Sequence, residues 1–277
     1  MSDTEEEIDT SLFQDPEGYY PPSPPPRQES YTLQTRQTLT LHLVGHSPLE
    51  AHHLWNGARV VARLFEDDPS LVRDRTVLEL GAGAGLPSLV AAAMGCRRAV
   101  VTDFPDVDLV ANMWRNVDGL GEVLGEEVKG RVGVKGFVWG GNVRPLLEEL
   151  QDGTTVEQEE EEEEEENEVE KKGGFDVLIL ADLLFRHSEH GRLVKTIREA
   201  LGRRKESRAY VVFTSYRPWL RHKDLAFFDG CREEGFVVEQ ILERKLDAPL
   251  FENDPGDVEV QKTVTGHVVR WKEADCY

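Results

Sequence analysis

Residues 77–89, Val77-Leu78-Glu79-Leu80-Gly81-Ala82-Gly83-Ala84-Gly85-Leu86-Pro87-Ser88-Leu89, join a short apolar run to a glycine-dense turn and the start of an apolar helix. Val77, Leu78 and Leu80 read as a buried parallel strand. Gly81, Gly83 and Gly85 accept positive φ and, lacking Cβ, let a ligand approach the backbone closely. Pro87 suits a first helical turn, where its missing N–H leaves no gap. Strand, glycine turn and helix in that order make the nucleotide-cradling corner of an open α/β sheet.

A glycine turn also occurs in ordinary tight turns and in dinucleotide enzymes, so the next strand helps to decide. Ala99-Val100-Val101-Thr102 is apolar and β-branched and ends at Asp103, 18 residues beyond Gly85. An acid there can accept hydrogen bonds from both hydroxyls of an adenosine ribose. As a bland alternative, Asp103 caps or turns the chain before Pro105. Glu79, just ahead of the glycines, would repel a pyrophosphate and suit a cationic ligand such as S-adenosylmethionine. A solvated or capping carboxylate is the competing reading of Glu79.

The chain has 277 residues, enough for one sizeable core, and one domain is the default at this length. Its net charge of −21 is concentrated. Glu157 to Glu170 holds eleven acids and no base, and residues 1–10 hold five acids and no base, so the remaining body is only mildly acidic. Such a surface argues against nucleic acid, whose phosphates need basic faces. Cys96, Cys231 and Cys276 show no pairing pattern and fit reduced thiols in the cytosol. Neither a membrane span nor a secretion signal is read in the sequence, so a soluble cytoplasmic protein is expected.

Residues 1–30 are polar and proline-rich, with Pro21 to Pro26 extended, and are expected to be a mobile segment. Tyr19 and Tyr20 there fit either a loose tail or a flap over the active site. Thr32 to Val44 alternates with period two and predicts an N-terminal β-hairpin or edge pair. Leu49, Leu54, Ala58, Val61, Ala62 and Phe65 recur at helical spacing and predict a helix over Leu49 to Phe65. Further helices are predicted at Leu86 to Met94, Val107 to Val117, Pro145 to Leu150, Ser188 to Leu201 and Leu220 to Glu234. Strands are predicted at Ala99 to Thr102, Val132 to Val138, Val177 to Ala181 and Tyr210 to Thr214, and a late pair at Val237 to Arg244 and Val264 to Trp271. Alternating strands and helices specify a doubly wound α/β sheet with helices on both faces. The acidic stretch at 152–172 cannot bury or pair its charges and reads as a disordered surface insertion.

VLELGAGAGLPSL, VVTDFPD (Val100 to Asp106), Val138-Trp139-Gly140 and FDVLILADLLF (Phe175 to Phe185) resemble, in order and spacing, the class I methyltransferases. SLFQDPEGYYPPSPPP and ADLLFRHSEH are similar to a fungal protein methyltransferase branch, formerly labelled nicotinamide N-methyltransferase-like. That branch acts on the N-terminal glycine and adjacent lysine of translation elongation factor 1-alpha. The resemblance implies a Rossmann-like seven-stranded sheet with its seventh strand antiparallel, a methyltransferase domain over 31–277, and S-adenosylmethionine as cofactor. It also implies that elongation factor 1-alpha is the protein substrate of a monomer. Cofactor contacts are expected at Trp55, Gly81, Ala82, Gly83, Asp103, Trp139 and Ala181. For Trp55, plain core packing is the alternative.

The chemistry is expected where Ala181-Asp182-Leu183-Leu184-Phe185 leaves the sheet at its carboxyl edge. Asp182 is read as orienting the acceptor amine, or as a turn acid. Phe185 and Tyr216 join it as candidate catalytic residues on the rim, and Tyr216 and Trp219 either wall the substrate channel or pack. No metal is expected: two histidines at His187 and His190 are not a ligand set, and adjacent His52 and His53 cannot share a helix face. Substrate contact or proton handling by His187 or His190 competes with packing, and Ser188 reads as an N-cap. A small-molecule methyltransferase of the nicotinamide type shares every cofactor feature. An NAD-dependent oxidoreductase is a poorer match because of Glu79.

Overall fold

The computed structural model describes residues 25–150 and 173–277. The acidic stretch at 152–172 and Tyr19, Tyr20 and Pro21 to Pro24 lie outside the described residues. Strands are β1 (Arg27–Thr32), β2 (Thr38–Leu43), β3 (Thr76–Leu80), β4 (Arg98–Asp103), β5 (Val132–Gly136), β6 (Val177–Ala181), β7 (Arg208–Thr214), β8 (Val237–Lys245) and β9 (Thr263–Arg270). Helices are α1 (Asn56–Asp67), α2 (Leu86–Ala93), α3 (Val107–Leu124), α4 (Glu126–Lys129), α5 (Arg144–Leu147), α6 (His190–Ala200), α7 (Arg221–Glu233) and α8 (Val258–Gln261). Among the described residues no helix is long and apolar enough to cross a membrane.

Seven strands form one sheet in the order β5-β4-β3-β6-β7-β9-β8, with β1 and β2 a separate antiparallel pair. β3 to β7 pair in parallel, and β9 runs antiparallel to both β7 and β8. The period of two explains how one strand serves two cores. In β6, Val177, Ile179 and Ala181 face α1, α2, α3 and the hairpin, while Leu178 and Leu180 face α6 and α7. Burial on both sides is why the run VLIL carries no polar residue.

The hairpin differs from its prediction. β1 begins at Arg27, inside the segment read as mobile, and Thr32 to Val44 contains the turn and the second strand. RQESYT shows little apolar alternation because only Tyr31 of that strand is buried. Polar side chains hold the hairpin instead. Buried Glu66 of α1 accepts from Tyr31 Oη (2.6 Å) and Gln34 N (2.6 Å). Asn116 of α3 accepts from His42 N (2.7 Å) and donates to the carbonyls of His42 and Ala84.

The predicted helix over Leu49 to Phe65 starts only at Asn56, with Trp55 as its N-cap. Residues 48–52 form turns, and Glu50 adopts φ +63°. Leu49 and Leu54 carried the helical spacing because both face the interior from a loop. Similarly, β5 ends at Gly136 rather than Val138, so Phe137 to Trp139 leave the sheet.

Candidate active site

The glycine turn supplies the floor. Gly81, Gly83 and Gly85 have φ of +59°, +55° and +76°, the left-handed region that side chains disfavour. A Cβ at Gly81 would lie 2.7 Å from Leu183 Cδ2 and 2.9 Å from Trp139 Cζ2, so the turn passes close beneath both side chains. Above it opens a cavity of about 260 Å³, walled by the 49–55 loop, the glycine turn, Asp103–Phe104, Phe137–Trp139 and the loop after β6.

Every expected cofactor contact borders this cavity: Trp55, Gly81, Ala82, Gly83, Asp103, Trp139 and Ala181. Asp103 accepts Gly83 N on Oδ2 and Phe104 N on Oδ1, both at 2.7 Å, so each oxygen keeps a lone pair for a further donor. Burial raises its pKa, opposed by these two bonds and the Arg186 charge. The capping alternative goes to Asp106, whose carboxylate accepts from Asp108 N and Leu109 N at the start of α3.

Glu79 is not the free negative charge that the sequence suggested. It is 1% exposed and caps α2 by accepting Ser88 N at 2.9 Å. Burial lifts its pKa to about 8 despite that bond, with Asp103 adding to the rise. Asp182 is likewise lifted by burial, to about 7. Unfolded carboxyls ionise near 4. Between about pH 4 and these raised values the folded chain therefore holds more protons than the unfolded one, and stability falls as pH rises. Glu79→Gln keeps a neutral acceptor for Ser88. Without bound donor, its melting temperature is expected to fall less than the wild type's between pH 5.5 and 8; parallel curves would refute the assignment.

The structure divides the three candidate catalytic residues. Phe185 borders the cavity, and its ring stacks on Trp55 at 5.5 Å and 22°. Asp182 is 2% exposed with φ +53°, and its carboxylate is spent inside the protein. Oδ2 accepts from Gly57 N and lies 3.5 Å from Tyr216 Oη, while Oδ1 accepts Thr214 N at 2.8 Å. Asp182 thus ties the start of α1 to the end of β7, and it also borders the cavity. Tyr216 is buried outside the cavity wall, backing the Trp55 indole edge-on at 5.0 Å. Its hydroxyl pKa is pushed well above the usual value by burial, with the Asp182 charge adding to it.

Trp219, 54% exposed, is not in the cavity wall and packs near Gly256 instead. His187 Nε2 meets Asp224 Oδ1 at 2.7 Å and His190 Nε2 meets the Leu184 carbonyl at 2.8 Å, so packing prevails over substrate contact for both. Ser188 makes no cap; it sits in a short 3-10 turn, and its hydroxyl faces Glu189.

Sequence reasoning missed Phe251 and His53, whose rings lie 5.8 and 5.5 Å from Trp55; His53 borders the cavity and Phe251 packs against both rings. Phe251 sits in the long β8–β9 connection, where no periodicity marks it. His53 was set aside on the premise of a helix that starts only at Asn56. Ligand atoms of Glu50, His52 and His53 lie within 4.8 Å of one another. However, Nδ1 of His52 faces the Ser47 N–H and Nδ1 of His53 faces the Arg27 guanidinium, both donors. Each Nε2 therefore carries the ring proton, which does not suit a metal.

These features define a class I methyltransferase: the sheet order with its antiparallel β9, the glycine corner, and an acid at the end of the neighbouring strand. The lysine methyltransferase family matches residues 36–157. A protein of Neurospora crassa named protein N-terminal and lysine N-methyltransferase efm7 is 57% identical over 265 residues, 95% of this chain and 89% of that one. A Gibberella zeae protein of the same name is 55% identical, covering 96% of each chain, and one from Schizosaccharomyces pombe is 38% identical over 92% of this chain and 93% of its own. A solved structure from Streptococcus mutans, described as a SAM-dependent methyltransferase, shares the fold at TM-score 0.53 and 11% identity, over 87% of this chain and 55% of its own. The chain belongs to the lysine methyltransferase family, alongside these efm7 proteins, and its cofactor is S-adenosylmethionine.

The cavity fits that cofactor. Asp103 has lone pairs to offer ribose hydroxyls, and the glycine turn leaves room at the backbone. Trp55 and Phe185 add aromatic wall to the same space.

Proposed function

We propose that this chain transfers methyl groups from S-adenosylmethionine to the N-terminal glycine amine and adjacent lysine of translation elongation factor 1-alpha, acting in the cytoplasm as a monomer. The supporting observation is the cluster of rings around Trp55, where Phe185 and His53 border the cavity and Phe251 packs against them. The names of the relatives support an acceptor of this type, and an acidic chain suits a basic partner.

S-adenosylmethionine supplies an electrophilic methyl that needs no covalent help from the protein. The chain's own residues must align the amine and exclude water. Phe185 and Trp55 are proposed to form one wall of the amine's approach, with Asp182 and Tyr216 fixing their positions. An acceptor must be neutral to attack, and aromatic walls do not stabilise its charge as a carboxylate would. An α-amino group, with pKa near 7.7–8.0, meets that need more easily than lysine near 10.4. Successive methylammonium products can be held by cation–π attraction, so multiple methylation is chemically reasonable.

Turnover on an N-terminal peptide of the factor is expected to rise between about pH 7 and 9 as the amine deprotonates. A flat profile would show that deprotonation is not limiting. The deciding measurement is mass spectrometry of the elongation factor from cells with and without the gene. Loss of methylation at its first residues in the deletion supports the proposal; identical methylation defeats it.

A further inference from the structure

Among the described residues, two charged side chains at the cavity mouth have no Lys, Arg, Asp or Glu partner. Arg186 and Arg192 are the arginines in the wall. Arg192 pairs with Glu189 at 2.8 Å. Among the described residues no carboxylate pairs with Arg186. Its Nη2 donates to the Pro48 carbonyl at 3.1 Å, and its guanidinium stands 5.6 Å from the Phe185 ring centre. Arg186 therefore bridges the loop after β6 and the loop before α1, the two sides of the opening. Its charge also acts on Asp103 across the cavity.

Glu50 stands two residues beyond Pro48, also in the wall. Its φ of +63° is strained for a residue with a side chain. That backbone turns its carbonyl onto the Trp55 indole N–H at 3.0 Å. Its carboxylate is 44% exposed and lies 3.8 and 3.9 Å from Nε2 of His53 and His52, beyond hydrogen-bond distance. Burial keeps His53 below its usual pKa against the opposing pull of Glu50 and Glu29, so that ring does not neutralise Glu50.

One unmatched cation and one unmatched anion, on loops joined by the Arg186–Pro48 bond, suit a ligand end that carries both charges. We propose that Arg186 and Glu50 bind the amino-acid end of S-adenosylmethionine, Arg186 taking its carboxylate and Glu50 its ammonium. Charge-assisted bonds are roughly twice as strong as neutral ones.

The test separates the two ends of the cofactor. S-adenosylhomocysteine carries the amino-acid end; 5′-methylthioadenosine keeps the adenosine and thioether without it. Calorimetry is run on full-length wild type, Arg186→Met, Arg186→Lys and Glu50→Gln, with melting curves to confirm folding. Arg186→Met and Glu50→Gln are each expected to weaken S-adenosylhomocysteine by about ten- to a hundredfold and to leave methylthioadenosine unchanged. Arg186→Lys is expected to recover part of the loss. Equal loss for both ligands would show that these residues only brace the loops, and unchanged affinity for both would remove them from the site; either overturns the proposal. The inference rests on the cofactor assignment, and failure of wild type to bind either ligand would undo that assignment instead.

Discussion

Asp182→Ala is expected to cost the folded chain about 2–6 kcal/mol, since each of two buried N–H groups left without a partner costs about 1–3 kcal/mol. Those donors are Gly57 N and Thr214 N, which join the carboxylate from the start of α1 and the end of β7. The bracket is tightly built: a Cβ at Gly57 would stand 2.6 Å from Asp182 Oδ2 and 2.8 Å from the Val212 carbonyl. Gly57→Ala should therefore reproduce much of the loss, and the two substitutions together should cost less than their sum because they break one contact. Denaturant unfolding checks this. Methyl transfer should fall with stability, because Trp55 stands at the N-cap position of the helix that Asp182 anchors. An Asp182→Ala protein that unfolds like wild type, keeps its cofactor affinity and yet loses turnover would return Asp182 to direct contact with the amine.

That bracket also shows where sequence reading stops. The strand–turn–helix corner at Val77 to Leu89 was legible because each part is local: apolar run, positive-φ glycines, proline in the first helical turn. Asp103 was legible because its distance from the glycines is fixed by one helix and one strand. The position of Asp182 at the cavity was legible, but its internal hydrogen bonds were not. Its partners Gly57 and Thr214 lie 125 and 32 residues away, and no spacing rule connects them. Glu79 misled for a related reason. Its position suggested a free charge facing the ligand; it does border the cavity, but burial and the Ser88 bond also make it a cap whose pKa lies near 8. Leu49 and Leu54 imitated a helix because periodicity records burial, and a loop forced through φ +63° at Glu50 buries residues as a helix does.

Asp103→Ala is expected to weaken S-adenosylhomocysteine by about 1.5–3 kcal/mol, the range for hydrogen bonds to a charged group. The carboxylate holds the glycine turn through Gly83 N and the start of the next loop through Phe104 N, leaving one lone pair on each oxygen toward the cavity. Two effects therefore mix in the alanine variant: lost ribose contact and a loosened turn. Asp103→Asn separates them. Its amide oxygen can still accept Gly83 N, while its NH₂ cannot accept from a ribose hydroxyl or from Phe104 N. If ribose binding dominates, Asn weakens the ligand through the one acceptor it loses and Ala weakens it further, and removing the ribose 2′-hydroxyl from the ligand costs wild type much more than the Ala variant. If turn bracing dominates, Asn retains most of the affinity and the deoxy ligand loses equally in all three proteins. Unchanged affinity in a folded Asp103→Ala protein would remove the residue from the cofactor site. A ribose-dependent loss would fix the adenosine at the β4 end of the cavity, leaving the Trp55–Phe185 stack for the sulfonium and the incoming amine.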